Sequence, residues 1–478
     1  MFKPLILTAL AAALAGCTTV GPDFQAPQGV QQSAWRHAAP SEAARMPAAW
    51  WTVFHDTTLD TLEQRALHDN PGVKASAQRL LQAQAQLGVL RAAQYPTVNA
   101  GVGVSNSRTS ARTSQGLALG GRSIEGNNYS VGASFSYELD LWGRVRRVVE
   151  SADAQALAAQ DERDGVLLLL SAQVAQTYWQ LRGVDQELDI LQRALATRKE
   201  SQELIEARFN GGLSNELDVS RARIERANAE ADLHEVQRQR NTLEHALAVL
   251  VGSSPSVPLL ASAGGGGALP LPPAIPVGLP ASLLSQRPDL AASVAGLKAF
   301  NAQVGVAEGA FYPSLSLTGN FGYASEALHD LNDHRARQFS IGPLALSLPL
   351  FDAGRNKSNL ALAKAKYEEA VANHEGKLLT ALREVEDALS DVQEKQAQAE
   401  AQAKAQAAAT RAREVAQARY DRGVSTYLDV TDAQRSALAA DRAAAQIRTQ
   451  RLLAAVAVAR ALGGGWQQSP PEATIASK

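Results

Sequence analysis

The chain alternates between two hydrophobic periods. Val98, Ala100, Val102 and Val104 are interleaved with Thr97, Asn99, Gly101 and Gly103. Further on, Tyr129, Val131, Ala133, Phe135, Tyr137 and Leu139 alternate with Ser130, Gly132, Ser134, Ser136 and Glu138. After Tyr312-Pro313 the pattern returns, with Leu315, Leu317, Gly319, Phe321 and Tyr323 on one face and Ser314, Ser316, Thr318 and Asn320 on the other. Period two over about ten residues, with small polar side chains on the second face, predicts barrel strands that face lipid outside and water inside. A water-soluble hairpin with one buried face has the same alternation. A fourth stretch, "QFSIGPLALSLPL", changes phase near Gly342-Pro343, which predicts a bulge or bend.

After each strand pair the period becomes helical. Leu167, Leu170, Val174, Leu181, Val184, Leu188, Leu191 and Leu195 advance mostly by threes and fours, and Leu378, Leu382, Val385, Leu389 and Val392 do the same. These are coiled-coil seams. No proline interrupts Gly143 to Asn210 or Gly354 to Arg422. At 1.5 Å per residue, helices of that length reach roughly 100 Å, enough to cross a periplasm-sized gap.

The two stretches are copies of one unit. "ARFNGGLSNELDVSRARIE" (207–225) and "ARYDRGVSTYLDVTDAQRSAL" (418–438) align at a fixed offset, Arg208 with Arg419, Gly212 with Gly423 and Asp218 with Asp429 (429 − 218 = 211). The same offset relates Gly143-Arg144 to Gly354-Arg355. Upstream, "AAQYPTV" matches "GAFYPSL" at 217, so the first copy carries six extra residues between Pro96 and Gly143. The chain is therefore divided into 1–16, 17–57, a repeat at 58–252, a Gly/Pro-rich linker at 253–279, a second repeat at 280–463 and a tail at 464–478. One charge differs near the turns: Asp432 stands where the first copy has Arg221.

Counting strands constrains assembly. Two units supply four strands, whereas the smallest membrane barrels have about eight. Open sheet edges are not tolerated in lipid. Two chains would close a barrel with a filled interior; three would leave room for a water-filled lumen. Three chains are expected.

Composition narrows the function. Aromatic residues make up 5% of the 478 positions, and alanine and glutamine dominate several stretches, as expected for long, closely packed helices rather than a thick core. The net charge of −2, with both signs interspersed, argues against nucleic acid as a partner. No stretch has 18 consecutive apolar residues, so no transmembrane helix is expected. The N-terminus, "MFKPLILTALAAALAGC", has a basic Lys3, a short apolar run and Leu14-Ala15-Gly16-Cys17, which resembles a bacterial lipobox. In such signals the cysteine becomes the acylated N-terminus, so Cys17, the only cysteine, is the candidate lipid-bearing residue. Thr18 follows it, and no inner-membrane-retaining aspartate is present.

No HExxH pair, phosphate loop or serine elbow is present, and no cofactor or metal is expected; the chain is not expected to be an enzyme. "HDLNDH" (329–334) reads as a solvated loop. Methionine occurs only at Met1 and Met46, so there is no thioether relay for soft metal ions.

The lipobox followed by "TTVGPDF", the paired "YP" strand starts, "LPLFDAGR" and "RGVSTYLDVTDAQRS" together resemble the outer-membrane channels of tripartite efflux pumps, TolC-like proteins of the OprM type. The resemblance implies an α+β membrane protein in which a homotrimer forms a transmembrane β-barrel on a long α-helical coiled-coil barrel. It implies a periplasmic adaptor protein and an inner-membrane RND-type pump as partners, outer-membrane lipid around the barrel, and a lumen gated at the periplasmic tip. The family's constricting acid ring falls on Asp429 and Asp432, and its tip-latch contacts fall near Tyr420, Asp218 and Arg435. Gly211, Gly212 and Gly423 become the turns of the tip hairpins. One family variant has arginine where this chain has Ser425, so a latch through that position does not carry over to this chain. Asp218 and Arg221 are expected to offer partners to the second hairpin. The rival expectation is an exported coiled-coil adaptor or scaffold without a pore.

Overall fold

The computed structural model describes residues 19–27, 34–37, 46–260, 269–276 and 286–466. Cys17 and the signal peptide lie outside the described residues. Among the described residues no helix is long and apolar enough to cross a membrane.

Two compact units are present. The first gathers the N-terminal residues to Pro27 with Leu80–Ala159 and Ser293–His374, and contains the sheet. Its strands are β1 (Thr97–Arg108), β2 (Glu125–Leu139), β3 (Ser314–Ser325) and β4 (Arg337–Ser347). All three pairings are antiparallel, in the order β1-β2-β3-β4, so β1 and β4 are edges.

Register converts the alternation into two chemically distinct faces. Val98 pairs with Phe135, which pairs with Gly319, which pairs with Ile341. Val102, Val131 and Tyr323 form another apolar row, and Ala133, Phe321 and Phe339 another. On the opposite face Asn99, Ser134, Asn320 and Ser340 are in line, as are Gly101, Gly132, Gly322 and Gln338. The apolar side is exposed: Val102 is 80% accessible, Phe339 72% and Ile341 76%. An isolated soluble domain would cover such a face. The phase change lies at the expected place: Leu317 pairs with Leu344 but Gly319 with Ile341, so Gly342-Pro343 bulge opposite Thr318.

An N-terminal strap completes this unit. The Val20 N–H donates to the Trp142 carbonyl (2.9 Å), and the buried Arg147 guanidinium donates to the carbonyls of Val20 and Gly21 and to Asp23 (2.9 Å).

The second unit is helical. The helices, several running through both units, are α1 (Thr57–Asp69), α2 (Pro71–Arg91), α3 (Arg144–Asn210), α4 (Glu216–Leu250), α5 (Pro288–Gly309), α6 (Arg355–Asp421) and α7 (Tyr427–Ala461). Helices α3 and α6 have 67 residues each, α4 and α7 have 35 each, and each pair begins 211 positions apart (355 − 144 = 211). The duplication is thus exact in helix length. The main core packs Trp50, Phe54, Leu59 and Leu62 against Val174, Trp179 and Leu181 of α3 and Leu452 and Val456 of α7. Two cross-links fix the N-terminal segment here: Trp50 Nε1 donates to Ser171 Oγ (3.0 Å), and the Tyr178 hydroxyl donates to Asp56 (2.8 Å). Glu63 is fully buried on α1, and neither carboxylate oxygen has a partner. Burial pushes its carboxyl up to about 9, so it is neutral at pH 7.

Candidate functional site

The second unit contains both reversals of the long helices, Asn210–Glu216 and Asp421–Tyr427. They share one backbone solution. Gly212 (φ 72°) and Gly423 (φ 74°) take the left-handed conformation that ends a helix without a Cβ penalty. The Leu213 N–H donates to the Arg208 carbonyl (2.8 Å) and the Val424 N–H to that of Arg419 (3.0 Å). Gly212 and Gly423 each bond three residues back, to Phe209 and Tyr420, both at 2.9 Å. This double closure is the Schellman pattern. Gly211 precedes the left-handed residue and is not itself left-handed.

Each returning helix is then capped by a polar residue. Asn215 Oδ1 accepts from the Asp218 N–H (2.9 Å), and the Asn215 amide donates back to the Asp218 carboxylate (3.1 Å). In the second hairpin the Thr426 N–H and hydroxyl both donate to Asp429 Oδ2, at 2.9 and 3.0 Å, within a capping box. Asp429 is therefore a helix-starting acid, favoured by the N-terminal dipole.

The hairpins meet over a small core of Ile205, Val219, Ala222, Tyr427 and Val430. Tyr420 packs on it with its ring centroid 5.8 Å from that of Tyr427, and the Arg208 guanidinium lies 4.9 Å over the Tyr420 ring. That cation–π contact joins α3 to the end of α6.

Charges are distributed unequally. Asp218 is answered on its own hairpin by Arg221 (3.4 Å). Asp432, at the position of Arg221, is 61% exposed and has Arg435 at 3.8 Å. Arg435 is committed elsewhere: its Nε donates to Glu225 Oε1 at 2.8 Å, and its Nη2 contacts the same oxygen. Glu225 is 6% exposed and also receives Arg198 of α3, which is 8% exposed, at 3.2 Å. Seven residues along, Arg442 binds Glu187 of α3 (Nε to Oε1, 2.7 Å) and Asp232 of α4 (3.3 Å). Arg435 with Glu225 and Arg442 with Asp232 form two successive clasps between α7 and α4, with α3 joining both. The sequence pattern did not reveal Glu225, because it looks like any polar helix residue until α3 and α7 cross over it. Within one chain Asp218 pairs with Arg221, and the second hairpin's Arg435 pairs with Glu225.

The architecture is therefore an antiparallel sheet with one lipophilic face, carried in a chain with twice-built helical hairpins. A family model described as outer membrane efflux protein matches residues 62–253 and 279–464. The chain belongs to the outer membrane efflux protein family. It is 34% identical over 478 residues to the outer membrane protein OprJ of Pseudomonas aeruginosa, covering 98% of each chain. It is 30% identical to the cation efflux system protein CusC of Escherichia coli, covering 96% of this chain and 98% of that one. The Campylobacter jejuni CmeC outer membrane channel superposes with a TM-score of 0.89 at 27% identity, covering 95% and 96% of the two chains. This efflux protein is thus an outer-membrane exit channel, and the pore-less scaffold falls away.

Proposed function

We propose that three copies of this chain close one channel, a twelve-stranded barrel in the outer membrane continued by a helical coiled-coil barrel across the periplasm. The observation that supports it is the open sheet: four strands, two unpaired edges and one exposed apolar face. In lipid, unpaired backbone groups cost several kcal/mol each, so the β4 edge of one copy must pair with β1 of the next. That pairing continues the antiparallel order. Native mass measurement in detergent should give a trimer; a stable monomer or dimer would reject the assembly.

The tip hairpins are the gate in this reading. Asp429 and Asp432 from three copies place six carboxylates around the axis, an arrangement that attracts cations. Tyr420, Asp218 and Arg435 belong to the latch, and Glu225 supports it by holding Arg435. An adaptor protein engaging the tips, with an inner-membrane RND-type pump behind it, releases the second hairpin. The pump selects the cargo and the channel serves as its exit. Cys17 is the lipid anchor; Cys17→Ala should lose acyl labelling, and labelling that persists would overturn the assignment.

A further inference from the structure

A cavity of about 310 Å³ opens between α3, α6 and α7 within the helical unit. Arg193 and Arg198 of α3, Arg413 of α6 and Arg448 of α7 all line it. Its one carboxylate, Asp441, accepts a hydrogen bond from Gln406 at 2.7 Å. Two of the arginines have acids outside the cavity: Arg193 pairs with Asp189 (2.9 Å) and Arg198 with Glu225 (3.2 Å). Arg413 and Arg448 form no ion pair among the described residues. Asp441 is thus the one lining carboxylate facing Arg413 and Arg448, and Glu225, shared with Arg435, only partly offsets Arg198. Ile190 and Leu438 supply an apolar wall.

The internal duplication shows whether these charges are common to both copies. At the 211-residue offset, Arg413 corresponds to Gln202 and Arg448 to Gln237, while Arg198 corresponds to Ala409 and Arg193 to Lys404. The matching helices of the other copy, equal in length, are built with neutral residues at both unpaired positions. The arginines thus belong to this one groove and are not part of what the two copies share.

We propose that the cavity binds a small organic anion through a carboxylate or phosphate group. Guanidinium groups grip such oxyanions through paired N–H donors, and a ring or short chain fits the Ile190–Leu438 wall. The volume is at the lower end of small-molecule pockets, about 300–1,000 Å³. The site is separate from Asp429 and Asp432 and opposite to them in charge, and it does not depend on the gate proposal.

The test titrates benzoate and inorganic phosphate into the purified full-length protein in detergent at low salt, by calorimetry. Benzylamine serves as the cationic counterpart. The Arg413→Gln/Arg448→Gln double variant removes two side chains that form no ion pair among the described residues, so it should melt with the wild type. Arg411→Gln is the control: that residue is exposed, pairs with Glu414 at 3.1 Å and does not line the cavity. The expected result is saturable benzoate and phosphate binding, no benzylamine binding, and a loss of at least about tenfold in affinity in the double variant alone. Absence of saturable anion binding, equal affinity in wild type and double variant, or an equal loss in Arg411→Gln would each overturn the site. The trimer and the channel reading would survive any of these outcomes, since neither depends on this cavity.

Discussion

The two tip hairpins have the same turn and different charges. Gly212 and Gly423 close their helices with the same pair of hydrogen bonds, and Asn215 and Thr426 each donate to the acid three residues on, Asp218 and Asp429. Past the caps the copies part. The first neutralises Asp218 with Arg221, while the second leaves Asp432 largely in solvent and sends Arg435 across to Glu225 of the first. Turn chemistry is local, so duplication preserves it. Charge partners depend on which helix lies alongside, and after duplication the two copies have different neighbours.

The largest effect should come from the clasp. Glu225→Gln removes the charge that compensates the buried Arg198 and releases Arg435. Leaving a buried partner unpaired costs about 3–5 kcal/mol. The denaturation midpoint should fall and the basal open probability in planar bilayers should rise. Ser436, the equivalent of Glu225 in the second repeat, is exposed, and Ser436→Ala should stay within about 0.5 kcal/mol of wild type. Equal effects at the two positions would show that the repeats are clasped symmetrically.

A medium effect should follow from making the second tip resemble the first. Asp432→Arg copies Arg221, and Asp429→Ala/Asp432→Ala removes both acids. Both should weaken cation selectivity and abolish block by multivalent cations, the arginine variant more strongly. Stability should fall by about 1 kcal/mol in the alanine pair, from the lost capping box at Asp429, because the exposed charges themselves contribute little to folding. Unchanged selectivity would remove these acids from the constriction.

The smallest effect tests the shared part. A Cβ added at Gly212 or Gly423 meets no atom within 4 Å, so only the left-handed backbone penalises alanine. Each substitution should cost about 1 kcal/mol, and the two costs should match. A clear difference in melting shift would mean that one turn bears a load the other does not.

Much of this was legible beforehand for a physical reason. Periods of two and of three to four are imposed by backbone geometry, so Val98 to Val104 and Leu167 to Leu195 announce a strand and a helix wherever they lie in the fold. The phase break at Gly342-Pro343 likewise marked the bulge in β4. Side chains recruited from distant segments left no such trace. Trp50 and Phe54 give no periodic signal, yet they close the core against Trp179, and Glu63 becomes a buried neutral acid only because α1 docks there. Glu225, Arg198 and Arg435 come from three helices, and their meeting depends on how those helices cross.

The unpaired edges of β1 and β4 also bear on how the protein is made. In the trimer proposed above, a single chain arriving at the outer membrane could not finish folding there, since the edges of β1 and β4 would find their partners on other copies. The final step of biogenesis would then be an encounter between chains, and its rate would rise more steeply than linearly with the amount of newly exported protein. Low expression would leave partly assembled chains on the periplasmic side, exposed to proteases, while the same sequence at higher expression would reach the membrane intact.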